Sequence, residues 1–76
     1  PNPVLEATLI NFELAKAGSA TLTVQDAAGR LILTRELEAV VGLNQVELTE
    51  IKATGVLTYT LTSGDFTAAR KMVVVR

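Results

Sequence analysis

Few side chains in this sequence could do chemistry. Its carboxylates are Glu6, Glu13, Asp26, Glu36, Glu38, Glu47, Glu50 and Asp65, and its serines are Ser19 and Ser63. Paired carboxylates can serve as general acid and base, and a serine becomes a nucleophile when a base sits beside it. The chain has no His and no Cys, which removes the usual base, the thiolate and nearly every transition-metal ligand set. Both serines fall at turn signals, and the carboxylates fall on polar faces and loops, where solvated charge is the ordinary state. A calcium site would need several closely spaced oxygens, and the stretches around Asp26 and Asp65 do not supply them. The reading is therefore no catalytic residue, no metal and no cofactor.

The elements that must carry these residues read as strands throughout. Residues 8–14 alternate with Ile10, Phe12 and Leu14 on one face and Asn11 and Glu13 on the other. Lys16-Ala17-Gly18 turns the chain, and residues 19–25 set Ala20, Leu22 and Val24 inward against Thr21, Thr23 and Gln25. Asp26-Ala27-Ala28-Gly29 reads as a hairpin turn: Asp can accept a backbone N–H two residues on, and Gly supplies a positive φ. Further strands are expected at 30–37, with Leu31, Leu33 and Leu37 inward and Ile32 blurring the pattern, and at 43–48, 56–62 and 66–75. Glu36 to Val41 has a helical look that Gly42 cuts short. The connection from Thr49 to Thr54 has room for one helical turn and offers Ile51 to the core. Ser63-Gly64-Asp65 is a second tight hairpin. Clean alternation implies antiparallel pairing with one wet face. Six or seven short strands at this spacing predict an all-β fold, a small immunoglobulin-like antiparallel β-sandwich of about seven strands.

A chain of 76 residues buries roughly 60–65% of the surface its unfolded form exposes. Without disulfides, packing of Val, Ile and Leu must supply the stability. The net charge of −1, with both signs scattered, argues against nucleic acid, which needs concentrated Lys and Arg. The apolar runs are far shorter than the ~20 residues of a spanning helix, so no membrane insertion is expected. The first residue is Pro1 and the only Met is Met72. That suggests residues 1–76 form a single domain excised from a longer protein.

The residues also resemble a known family. Pro1-Asn2-Pro3, Ile10-Asn11-Phe12-Glu13-Leu14, Gly18, Asp26-Ala27-Ala28-Gly29-Arg30, Gly42-Leu43-Asn44, Gly55-Val56-Leu57-Thr58-Tyr59, Gly64 and Lys71-Met72-Val73-Val74-Val75 fall in its order. Together they resemble the C-terminal sorting domain, type A, of cargo proteins of the type IX (Por) secretion system of Bacteroidetes-type bacteria. The resemblance implies an immunoglobulin-like sandwich following a cargo protein. It implies recognition by the secretion machinery (translocon, shuttle and sortase-like components) in the periplasm and at the outer membrane. A sortase-like peptidase would then remove the domain, leaving cargo at the cell surface or secreted. The chain departs from the family's pattern at Leu57 and Gln25, where aromatics are common, at Asn44, often His, and at Leu48-Thr49, often Trp-Asp.

Two segments have both a structural and a functional reading. Asp26, Gly29 and Arg30 make a turn, and Arg30 beside it would be an exposed landmark for the machinery. Gly42 and Gly55 read as backbone necessities. Pro1, Asn2 and Pro3 form a stiff extended entry suited to a processing junction. Lys71, Met72, Val73, Val74, Val75 and Arg76 read either as a buried final strand or as an edge strand offered for pairing with another protein. The family tips the choice toward recognition. The alternative function is an adhesion or carbohydrate-binding module retained on a secreted protein. It would need an aromatic platform, which Phe12, Tyr59 and Phe66 are not expected to form. A structural immunoglobulin-like spacer, of the flagellar hook-cap type, is a third reading.

Overall fold

Thr, Val, Leu and Ile at alternating positions suit a pleated surface with one buried face, and strands account for most of the chain. The computed structural model describes residues 8–49 and 51–74. Six strands follow in chain order: β1 (Thr8–Leu14), β2 (Gly18–Gln25), β3 (Leu31–Ala39), β4 (Gly42–Leu48), β5 (Gly55–Ser63) and β6 (Phe66–Val74). Each begins and ends within one or two residues of its expected span. The stretch with a helical look is strand as far as Ala39.

The count is six among the described residues, where about seven strands were expected. The connection after β4 forms neither strand nor helical turn over residues 51–54. It instead carries Ile51 into the core, where it is buried.

The strands form two antiparallel sheets, one of four in the order β3-β2-β5-β6 and one of two, β1-β4. The core lies between them. Ile10 and Leu14 of β1 and Leu48 of β4 meet Ala20, Leu22 and Val24 of β2, Ala39 of β3 and Leu57 and Leu61 of β5. The opposite face of the larger sheet is polar: Thr21 stands across from Glu36 on one side and Thr62 on the other, and Thr23 across from Thr34 and Thr60.

Leu31 corrects one expectation. The β2–β3 register pairs Val24 with Leu33 but Gln25 with Leu31, so Ile32 is an extra residue in a β-bulge. A bulge re-aims the side chains beyond it. Leu31 is consequently 56% exposed, while Ile32, Leu33 and Leu37 pack against the core.

Chain leaving the larger sheet at Ala39, which pairs with Gly18, joins the smaller one at Gly42, which pairs with Leu14. Asn44 holds this corner. Its side-chain Oδ1 accepts from Val40 N at 2.9 Å, and its Nδ2 donates to Val40 O at 2.9 Å and Gly42 O at 3.2 Å. The amide thus replaces strand partners the backbone lacks while changing sheets.

Candidate functional site

The final strand of the sheet follows β5 through the two-residue turn Gly64-Asp65, which sets Ser63 opposite Phe66. Gly64 has φ of +59°, and among the described residues only glycines take a positive φ. A positive φ at the first turn position alone is the pattern of a II′ turn, whose twist matches the strand pair.

Beyond that turn, β6 pairs only with β5 and is an edge of the four-stranded sheet. None of its residues is buried, so the buried-strand reading of this segment gives way to the edge-strand one. Met72 stands opposite Leu57 and Val74 opposite Gly55, both packing against the core. Lys71 stands opposite Thr58 on the polar outer face, and Val73 opposite Val56. Val73 is 69% exposed, so nothing among the described residues covers the outer face of β6 at this position. Val75 and Arg76 lie outside the described residues, as do Pro1, Asn2 and Pro3.

The second candidate segment is a closed hydrogen-bonded loop. Gly29 N donates to Asp26 O at 2.9 Å and Asp26 N to Arg30 O at 2.9 Å. The Asp26 carboxylate accepts from Ala28 N at 3.0 Å and Arg30 N at 2.8 Å through Oδ1, and from Arg30 Nε at 3.2 Å through Oδ2. The Arg30 backbone N–H foremost, with the Ala28 N–H and the Arg30 charge, holds the carboxyl below its ordinary value of 3.8. Gly29 closes the loop at φ +88°, a left-handed conformation that costs a residue with a Cβ. The Arg30 side chain remains 80% exposed.

Register brings these segments to one end of the sheet. Gln25, the residue before the turn, pairs with Thr58, and Thr58 pairs with Lys71. Two strand spacings, about 10 Å, separate Gln25 from Lys71, with β5 between. The loop and the C-terminal half of β6 therefore share an end without sharing a strand.

Sequence reasoning missed a groove beside β6. Phe12, Tyr59 and Phe66 line it together with Asn11, Glu13 and Arg70, around about 420 Å³. These are all the aromatic residues of the chain. A signal for part of this was present: a two-residue hairpin pairing Ser63 with Phe66 puts Phe66 on the same face as Leu61 and Tyr59. The approach of β1 was not readable locally.

Among the described residues no group of three or more acidic side chains could hold a metal ion, and no helix is long and apolar enough to cross a membrane. The family model described as the secretion system C-terminal sorting domain matches residues 1–75. Neither the curated proteins nor the solved structures give a match.

Proposed function

The chain belongs to the secretion system C-terminal sorting domain family, the sorting signal of type IX secretion, and from that premise we propose how the signal works. The domain follows its cargo protein, is recognised in the periplasm, directs the cargo across the outer membrane, and is then removed by a sortase-like peptidase at or just before Pro1. The cargo ends at the cell surface or in the medium. In this scheme the domain is a substrate of the peptidase and performs no catalysis of its own.

The observation that carries the reading is the state of β6. It is an edge strand with exposed Lys71 and Val73, at the same sheet end as the rigid turn of Asp26, Gly29 and Arg30. An edge strand presents unpaired backbone groups to any partner able to add a strand. Lys71 to Arg76 is then the principal recognised segment, with Met72 and Val74 anchoring it to the core and Arg30 as a landmark.

The test is secretion of a periplasm-directed fluorescent protein carrying this domain, in a host with an intact type IX system. Deleting Lys71–Arg76, or substituting Val73→Lys with Val75→Lys, should stop export while circular dichroism shows the variants still folded. An intact fusion that stays in the periplasm refutes the reading.

The aromatic groove lends some weight to a second reading, a carbohydrate-binding module. A glycan screen with the intact domain separates the two, because that reading requires binding that Tyr59→Ala abolishes.

A further inference from the structure

The described strands leave several edges open, and their charges differ. Free edges belong to β1 and β4 in the smaller sheet and to β3 and β6 in the larger. β1 carries Glu13, β4 carries Glu47, and β3 sets Glu36 and Glu38 against Arg35. β6 alone carries cations with no carboxylate, Arg70 and Lys71. Arg70 makes one hydrogen bond, from Nη1 to the carbonyl of Ala69 at 3.0 Å. Neither cation pairs with a carboxylate among the described residues.

Their placement gives a partner pattern. Arg70 stands opposite Tyr59 on the inner face, beside the aromatic groove, and Lys71 stands opposite Thr58 on the outer face. Consecutive residues of a strand point to opposite faces. A strand added at the open edge would therefore place two consecutive residues across from these two cations, one on each face. Directly opposite unlike charges stabilise a strand pair and like charges destabilise it. Flanking apolar residues would lie opposite Ala69 and the half-buried Met72.

We infer that β6 receives an extended segment of a partner protein bearing two adjacent carboxylates between apolar residues, added as a fifth strand of the larger sheet. One carboxylate meets Arg70 at the mouth of the aromatic groove, and the other meets Lys71 on the polar face. The inference rests on the sorting reading for the biological setting but not for the contact itself. A second copy of the chain is the wrong occupant. Full-length antiparallel pairing of two β6 strands centres on Arg70, the middle residue of Phe66–Val74, and sets Arg70 against its own copy.

The experiment uses the 76-residue chain and two synthetic peptides, Thr-Val-Glu-Glu-Val-Thr and Thr-Val-Lys-Lys-Val-Thr. Amide hydrogen exchange reports which strand each protects, and fluorescence anisotropy reports affinity. The Glu-Glu peptide should protect β6 amides and bind roughly tenfold better than the Lys-Lys peptide. The double variant Arg70→Glu with Lys71→Glu should reverse that preference, a gain of binding that misfolding cannot mimic. Protection of β1 or β3 instead, equal binding of both peptides, absence of binding, or β6 protection rising with protein concentration alone would overturn the inference. The peptide and secretion assays are independent. A fusion exported regardless of the double variant, with no peptide binding, sinks the strand-addition proposal and leaves the sorting reading standing. Peptide binding by a domain that fails to direct export does the reverse.

Discussion

Asn44 and Val40 are joined in both directions, the side-chain amide of one accepting from the N–H and donating to the C=O of the other at 2.9 Å. The pair spans the point where the chain passes between sheets, and Val40 and Val41 around it are exposed. The corner is therefore held by polar contacts and not by burial.

Asn44→Ala should accordingly cost about 0.5–1.5 kcal/mol, the net worth of hydrogen bonds whose exposed backbone partners water can take over in part. Urea unfolding gives the magnitude, and amide exchange at Val40 should accelerate. A variant as stable as the parent would show that water replaces the side chain without loss.

Core and edge should respond differently to truncation. Leu22 is fully buried, and Leu22→Ala is expected to cost about 2–5 kcal/mol, a large part of the roughly 4–11 kcal/mol that a domain this size holds at 0.05–0.15 kcal/mol per residue. Met72→Ala, on the edge strand and only half-buried, should cost about 1 kcal/mol, roughly half of the ~0.8 kcal/mol that full burial gives for each of the three methylene-sized groups removed. Paired thermal melts check the ordering. Equal losses would mean that β6 is packed far more tightly than its exposure indicates.

Asp26 should give the domain an acid-sensitive component. Its folded-state carboxyl titrates below 3.8 because the Arg30 and Ala28 N–H groups and the Arg30 charge favour the ionised form. A depressed carboxylate contributes stability above its unfolded value, lost as pH falls through the folded one. Wild type should thus exceed Asp26→Asn in stability at neutral pH, and the two should converge as the solution is acidified past 3.8 and through the folded value. Carboxyl carbon shifts followed by NMR should place the Asp26 midpoint below 3.8. A midpoint at or above it would mean that the loop opens in solution.

Most of the fold was legible because strand periodicity is local. Ile10, Ala20, Leu22, Val24, Leu57 and Leu61 announce their faces by alternation, and all are buried. Gly29 and Gly64 announce their turns by residue type, and both have positive φ. Leu31 misled because Ile32 breaks the alternation in a way that only pairing with Val24 and Gln25 resolves. The edge position of β6 was open from sequence, since Val73-Val74-Val75 suits burial and exposure alike. The aromatic groove and the Asn44 clamp depend on which distant strands adjoin, information that no local window contains.

Sheet order has a consequence in time. The β2–β3 and β5–β6 hairpins close through short turns and can form within microseconds. The pairings of Thr8 with Leu48 and of Thr21 with Thr62 join distant parts of the chain, and such topologies fold on the order of milliseconds to seconds. The outer edge of β6 is already present in the isolated β5–β6 hairpin, and docking of β5 on β2 covers only the other side of that hairpin. A partner that reads β6 together with the turn of Asp26, Gly29 and Arg30, which reaches the same sheet end only once β2 pairs with β5, distinguishes a finished domain from one still folding without sensing the core at all.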